Sequence, residues 1–151
     1  MPKRYFCIFN FRPKGNQVTI FSSKIFFMSH SGKLQFLVVI STPPDGVAEG
    51  DRIFASHVDW MSKTHYKDGS KALLSYDVSK SAEMENPMDP NTKATGNTVF
   101  VLSEVYEGPE GLQDHWQQAQ ASWPDFGAMV NWLGKCKSTM VNGAGIHHSL
   151  W

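Results

Sequence analysis

The sequence predicts an α+β domain with the element order strand, helix, strand, strand, helix, strand. Three observations predict this class. Residues 98–106 alternate branched side chains with aromatic and aliphatic ones, as a strand does. Residues 47–66 and 109–133 carry apolar side chains at helical spacing. Residues 33–42 form an apolar run of the kind that is covered on both faces of a sheet.

The first strand and the first helix lie between residues 33 and 66. Pro43 and Pro44 end the strand, because proline has no N–H to donate to a neighbouring strand. The helix begins at Val47 or Ala48 and ends near Tyr66. Its predicted apolar stripe is Phe54, Val58, Met61 and His65, with Ile53 and His57 beside it.

Two further strands are predicted to form a hairpin. Residues 72–79 alternate apolar and polar side chains, and residues 81–97 have the prolines and glycine of a long loop. The strand that follows has one face of small or branched side chains and a second face that ends in polar groups. The first face is Val99, Val101, Ser103 and Val105, and the second is Phe100, Leu102, Glu104 and Tyr106.

A broken helix follows this hairpin. Pro109 suits a first helical turn, and Glu110 would meet the helix dipole favourably. Residues 122–125 (SWPD) predict a new N-cap with a capping-box acid, so the helix should break and restart there. Gly134 predicts its end. The last extended segments are 139–141 and 146–151, with a glycine bulge or tight turn between them.

This order predicts a ferredoxin-like βαββαβ layer with an antiparallel sheet. The two helices would cover one face of the sheet. The other face carries side chains that are too apolar for water, so a second copy packed face to face would cover it. The sequence therefore predicts a homodimer.

One stretch resembles a known family at the level of residues. The run Glu104-Val105-Tyr106-Glu107, followed by Leu112, His115 and Phe126, resembles the pattern of antibiotic biosynthesis monooxygenase-like domains. From Leu34 to the C-terminus the order of elements is also similar. The resemblance implies a dimeric α+β barrel. It also implies a small-molecule activity, either a cofactor-independent monooxygenase or an isomerase acting on an aromatic or enolic substrate.

The candidate site centres on His115 and Tyr106 as catalytic residues. His115 matches the helix histidine of the family, and imidazole transfers protons near neutral pH. Aromatic walls, a carboxylate and further histidines would complete a small-molecule site. The candidate binding residues are His57, Trp60, His65, Glu104, Trp116 and Trp123. The alternative is a non-catalytic dimerisation or ligand-binding module, in which the aromatic residues form the core and the histidines lie at its boundary.

No cofactor and no metal site are predicted. His57 and His65 lie two helical turns apart, too far to chelate one ion without other ligands. The haem-degrading members of the family use a helix histidine after the position of Phe126, and residues 127–135 contain none. His147 and His148 would point to opposite faces of a strand.

Composition limits the remaining classes. The chain has 151 residues and a net charge of zero, so no basic field attracts nucleic acid or an anionic membrane. No apolar run approaches the roughly 20 residues that cross a bilayer. Cys7 and Cys136 lie in dissimilar contexts, which favours reduced thiols over a disulfide. These observations predict a soluble, cytoplasmic protein.

Residues 1–27 are predicted to be an N-terminal extension to a domain of residues 28–151. Two aromatic runs flank a turn at 12–17, which indicates a hairpin. The alternative is that Met28 is the natural start of the protein.

Overall fold

The computed structural model describes residues 29–150. The elements are β1 (Leu34–Thr42), α1 (Val47–Thr64), β2 (Leu73–Met84), β3 (Ala94–Tyr106), α2 (Pro109–Ser122), α3 (Phe126–Leu133) and β4 (Lys137–Gly145), with a short 3-10 turn at Pro44–Gly46. Among these residues, no helix combines the length and the hydropathy needed to span a bilayer. The predicted hairpin of residues 1–27 lies outside the described part of the chain.

The four strands form one antiparallel sheet in the order β2-β3-β1-β4. Buried side chains of all three helices and of β1 and β3 form a single core. The α+β class, the antiparallel sheet and the predicted order of elements are therefore confirmed. This topology is compatible with a ferredoxin-like fold.

The alternation predicted for β3 is confirmed. Phe100, Leu102, Glu104 and Tyr106 are all buried, and the matching positions of β1, such as Phe36, are buried with them. Val99, Val101 and Ser103 on the opposite face are half-buried. Val105, at the end of that face, is also buried, so the contrast between the two faces ends at Ser103. One row of β3 therefore faces the helices, and it carries a carboxylate and a phenol into the core.

The hairpin of β2 and β3 is longer than predicted. The loop expected at residues 81–97 is reduced to residues 85–93, because Ala82 pairs with Thr98 and Met84 with Ala94. Hydrogen bonds to Glu83 from the Thr95 hydroxyl (2.8 Å) and the Asn97 amide (3.1 Å) join the two strands beyond the predicted end. Polar cross-strand pairs thus continue a strand where composition indicated a loop.

The predicted helical stripes are confirmed in part, because Ile53, Phe54, His57 and Met61 of α1 are buried. Val58 is 46% exposed and Val130 is 53% exposed, although both were assigned to the buried face. The buried face of α1 also contains Trp60, and that of α3 contains Trp132, neither of which was predicted to belong to a stripe. The spacing of apolar residues predicted the positions of the helices correctly. The buried face of each helix also depends on its histidine and tryptophan residues, which hydropathy ranks as polar or intermediate.

The break between α2 and α3 is confirmed, but the predicted capping box does not form. Asp125 occupies the N-cap of α3 without a side-chain capping hydrogen bond. Ser122 is the last residue of α2, and its hydroxyl accepts the Trp60 indole N–H at 3.0 Å and donates to the carbonyl of Gln118. The serine therefore joins α2 to α1 instead of starting α3.

The last strand contains the predicted bulge. Phe36 pairs with Asn142 and Gln35 with Ala144, so Gly143 is the extra residue, and its φ of 85° suits glycine. The second predicted segment was residues 146–151. Residues 146–150, the part of it that the structure describes, do not form a strand. The pairing of β4 with β1 ends at Gly145.

Candidate functional site

Six polar side chains meet in the core between the helices and the sheet. α1 supplies His57, and His65 lies immediately after its end. The other four side chains come from β2, β3 and α2. They are Tyr76, Glu104, Tyr106 and His115. We call these six residues the polar cluster.

The close approach of α2 to β3 depends on Gly111. A Cβ atom at this position would lie 2.9 Å from the carbonyl oxygen of Lys71 and 2.9 Å from the Tyr106 ring. Only glycine lets the first turn of α2 pack so tightly on the strand. One turn further along α2, His115 is buried against the row of side chains that carries Glu104 and Tyr106.

Glu104 is the most unusual member of the cluster. Its side chain is fully buried, and one carboxylate oxygen, Oε2, accepts a hydrogen bond from the Tyr106 hydroxyl at 2.6 Å. The other oxygen, Oε1, has no hydrogen-bond partner among the described residues. Burial raises the pKa of Glu104 from 4.5 to about 7, against the smaller lowering effect of the Tyr106 hydrogen bond. The carboxyl group therefore gains and loses its proton near neutral pH.

A chain of hydrogen bonds fixes the tautomers of two histidines. The Thr64 hydroxyl donates its hydrogen to the carbonyl of Trp60 at 2.9 Å, so it accepts from Nδ1 of His65 at 3.0 Å. Nε2 of a neutral His65 then carries a lone pair, which accepts from Nδ1 of His115 at 3.0 Å. Neutral His115 therefore keeps its own lone pair on Nε2.

His57 and His115 are neutral at physiological pH. Their side chains are 2% and 4% exposed, and burial lowers the pKa of each to about 3. Nδ1 of His57 lies 3.0 Å from the hydroxyl of Tyr76. His65 is half-buried, and burial also lowers its pKa. The cluster is thus an uncharged imidazole environment around one ionisable carboxyl group.

Three groups of the cluster converge. One ligand atom from each of His57, Glu104 and His115 lies within 4.8 Å of the other two. These residues come from α1, β3 and α2, so the tertiary fold creates a combination that spacing within one helix does not reveal. Two imidazole nitrogens and a carboxylate oxygen can hold a transition-metal ion or exchange a proton with a small molecule.

Aromatic side chains enclose the cluster. The ring centroids of His57 lie 4.6 Å from Trp123 and 5.7 Å from Trp60, and both tryptophans are buried. The Trp123 indole N–H donates to Ser56 at 3.1 Å. Trp116 is half-buried, and its centroid lies 5.5 Å from that of His115. All eight predicted site residues therefore lie in or around one cluster.

Tyr76 was not among the predicted site residues. It was predicted to be an ordinary member of the second strand, yet Tyr76 pairs directly with Glu104 across the hairpin. Directly opposed residues on one face of a sheet are neighbours. Burial raises the pKa of Tyr76 above its usual value, so its hydroxyl stays protonated beside His57. The signal that could have found it was the hairpin register, which the overlong predicted loop obscured.

Two cavities open elsewhere on the described part of the domain. One, of about 350 Å³, lies beside Thr42, Gly46 and Trp132. The other, of about 330 Å³, lies between Leu34, Leu112, Trp116 and Gly143. Neither cavity is lined by His115 or Tyr106. The second cavity nevertheless reaches the ring of Trp116, which contacts His115.

Comparison of the chain with protein-family models, curated proteins and solved structures found no match of any of the three kinds. The resemblance to antibiotic biosynthesis monooxygenase-like domains therefore stays a prediction. What the fold and the site define is an α+β domain with a buried cluster of histidine, tyrosine and carboxylate side chains.

Proposed function

We propose that the protein is a small-molecule enzyme that transfers protons at the polar cluster. The observation that carries this proposal is the fully buried Oε1 of Glu104, which has no hydrogen-bond partner among the described residues. A carboxylate oxygen of the same residue lies within 4.8 Å of a ring nitrogen of His57 and of His115. Burying a polar atom without a partner costs about 1–3 kcal/mol. An unsatisfied carboxylate oxygen in an otherwise well-packed core is typical of a site that binds a ligand.

Glu104 is the group best matched to proton transfer. A general acid or base works best when its pKa lies near the working pH, and the pKa of Glu104 is about 7. Oε1 would accept a proton from the substrate while the Tyr106 hydroxyl holds Oε2 in place. Tyr106 is therefore a positioning residue in this proposal, whereas the sequence analysis predicted it to be a catalytic residue.

The histidines offer a route from the cluster towards the surface. A proton received at Nε2 of His115 can be balanced by release from Nδ1 to Nε2 of His65, 3.0 Å away. His65 is half-buried, and its Nδ1 lies 3.0 Å from the Thr64 hydroxyl. This arrangement supports His115 as the second group in proton transfer and His65 as its relay.

The substrate proposed for this site is aromatic or enolic. Its approach would be through the cavity of about 330 Å³ beside Trp116, with the indole ring moving aside. Removal of a proton from a phenol or an enolisable carbon is the first step shared by an isomerase and a cofactor-independent monooxygenase. Those two activities remain the candidates, and trapping of the resulting anion in a dry aromatic cage suits both.

A non-catalytic binding or dimerisation module is the second candidate. One observation favours it: neither cavity is lined by His115 or Tyr106. Aromatic side chains pack around these two residues instead. In this alternative the histidines are hydrogen-bonded core residues. The two candidates differ in whether a bound phenol loses its proton.

Phenols and enolisable dicarbonyl compounds should stabilise the wild-type chain and bind in ionised form. A probe at about 100 times its Kd should raise Tm by roughly 5–10 °C. A bound phenol should show phenolate absorption, because Glu104 takes its proton. Glu104→Gln and His115→Gln should lose this absorption, and the exposed His148→Gln should keep it. Binding of phenols without ionisation would favour the module.

We further propose that the protein is a homodimer whose subunits pack sheet to sheet, as in a dimeric α+β barrel. The helices cover one face of the sheet. On the other face the centre is apolar, and Val39 and Val141 are 36% and 37% exposed. Leu37, Val99 and Val101 lie around them and are only half-buried. A second copy would remove this patch from water.

Sedimentation should give a mass twice the 17.0 kDa of one chain at micromolar concentration. Val39→Lys should yield monomers, because it places a charge at the centre of the proposed interface. Val58→Lys is the matched control, since Val58 lies on the exposed side of α1 and is 46% exposed. A folded wild-type monomer would contradict the dimer without touching the proposal for the polar cluster.

A further inference from the structure

We propose that His57, Glu104 and His115 bind one divalent first-row transition-metal ion. The inference rests on the proposed function, because it assigns a ligand to the same polar cluster. It departs from the sequence-based expectation of no metal, in which the partner considered for His57 was His65. The fold replaces that pair with three groups from three different elements.

The donor set suits such an ion. Two imidazole nitrogens and one carboxylate oxygen are the protein ligands of many catalytic zinc sites, and the same set with open positions binds non-haem iron. Ligand atoms of the three residues lie within 4.8 Å of one another. Metal bonds of about 2.0–2.2 Å would draw them together through small side-chain rotations.

The unpartnered oxygen of Glu104 is the independent observation that points to a cation. Oε1 is buried and lacks a donor among the described residues, whereas Oε2 already accepts from Tyr106. No lysine or arginine supplies a charge to this carboxylate among the described ion pairs. A metal ion would satisfy Oε1 and compensate the buried negative charge.

Each ligand also has an outer partner that orients it. Nδ1 of His57 meets the Tyr76 hydroxyl, Nδ1 of His115 meets His65, and Oε2 of Glu104 meets Tyr106. Metal-binding histidines almost always use their second nitrogen in this way, which fixes the ring and its tautomer. The hydrogen-bond chain from Thr64 leaves the lone pair of His115 on Nε2, as a metal ligand requires.

The proposed ion would leave coordination positions open for a substrate oxygen, since the protein supplies three ligands. Its contribution would be to stabilise the oxygen anion of a phenol or an enol. The proton would pass to water, because Glu104 and His115 would be occupied as ligands. Buried Trp60 and Trp123 would keep the site dry. The reaction class that fits is metal-assisted enolisation.

Binding of Zn²⁺ and Co²⁺ to the full, chelator-treated chain tests the site without any substrate. Titration calorimetry should give one Zn²⁺ per chain, and Co²⁺ should produce visible d–d absorption. Glu104→Gln, His57→Gln and His115→Gln should each abolish the Co²⁺ spectrum. His65→Gln should keep the stoichiometry and weaken the affinity about 10–100-fold, because it removes only the orientation of His115.

The double variant His147→Gln, His148→Gln is the matched control, since this exposed pair is the other place where histidines adjoin. It should bind Zn²⁺ as the wild type does. Absence of Zn²⁺ binding in the wild type, or binding that survives Glu104→Gln, would overturn the metal site. If the metal site is overturned in this way but phenols still ionise on the metal-free chain, the proposed function is retained without the metal. If Zn²⁺ binds and phenols do not ionise on either form, the proposed function fails and the metal site stands.

Discussion

At about pH 5.5, unfolding of the chelator-treated, metal-free chain should take up one proton fewer in His115→Gln than in the wild type, and one proton more in Glu104→Gln. His115 is neutral in the folded domain, where its pKa is about 3, but becomes protonated in the unfolded chain, where its pKa is 6.5. Glu104 behaves in the opposite way, because its folded pKa is about 7 and its ordinary value is 4.5. The two substitutions therefore change the slope of stability against pH in opposite directions.

The signs follow from which state binds more protons. For His57 and His115 the unfolded chain binds more, so their contribution to stability is complete above pH 6.5 and is lost as the pH falls towards 3. His65, whose pKa is also lowered, adds to the same trend. For Glu104 the folded state binds more, so its contribution is complete below pH 4.5 and is lost as the pH rises through 7. Stability should be greatest near pH 7, where the contributions of the histidines and of Glu104 to the slope cancel.

The change in the free energy of unfolding with pH is large for a single side chain. Between pH 6.5 and 4.5, one fully shifted histidine changes the free energy of unfolding by about 2 kcal/mol. Burial keeps Tyr76 and Tyr106, which adjoin Glu104, protonated throughout this range by raising their pKa values. Denaturant titrations at several pH values would measure the slopes.

Met129→Ala is the control for this experiment. It removes buried packing without changing a titrating group, so it should lower the whole stability curve and keep its slope. Equal slopes for wild type, His115→Gln and Glu104→Gln would show that these groups are solvated in solution. The cluster would then not be the closed site described above.

The strand positions of the site could be predicted because the period of a strand is two. Once residues 98–106 were identified as a strand, Glu104 and Tyr106 had to share a face with Phe100 and Leu102, and all four are buried. The helix positions were harder. Val58 is apolar and exposed, whereas Trp60, which was not part of the predicted stripe, is buried, so hydropathy alone did not define the whole buried face.

Contacts between distant elements could not be predicted from spacing. Tyr76 joins the cluster because of the register of the β2–β3 hairpin, whose loop was predicted to be longer than it is. His57 lies near Glu104 only because α1 packs on the sheet. The glycine bulge at Gly143 was predictable, because its cause is local. Gly50 gave no local signal, yet it decides how closely α1 and α3 approach.

Gly50→Ala should destabilise the domain by about 2 kcal/mol, although alanine is the better helix former. A Cβ at residue 50 would lie 2.5 Å from Cζ2 of Trp132 and 3.1 Å from the Phe100 ring. Trp132 is held on two sides. Its indole N–H donates to the carbonyl of Gly46 at 2.9 Å, and its ring packs edge-on against Phe100. The clash should therefore outweigh the gain of about 1 kcal/mol in helix propensity.

Gly127→Ala is the matched control, because Gly127 lies in α3 with nothing within 4 Å of its Cβ position. It should stabilise the domain by about 0.5–1 kcal/mol. A double-mutant cycle with Trp132→Phe tests the cause. The smaller ring makes room for the new methyl group, so the double variant should lose less stability than the sum of the two single variants. Additive losses would mean that Trp132 is not the group that Gly50 accommodates, and that α1 and α3 approach each other for another reason.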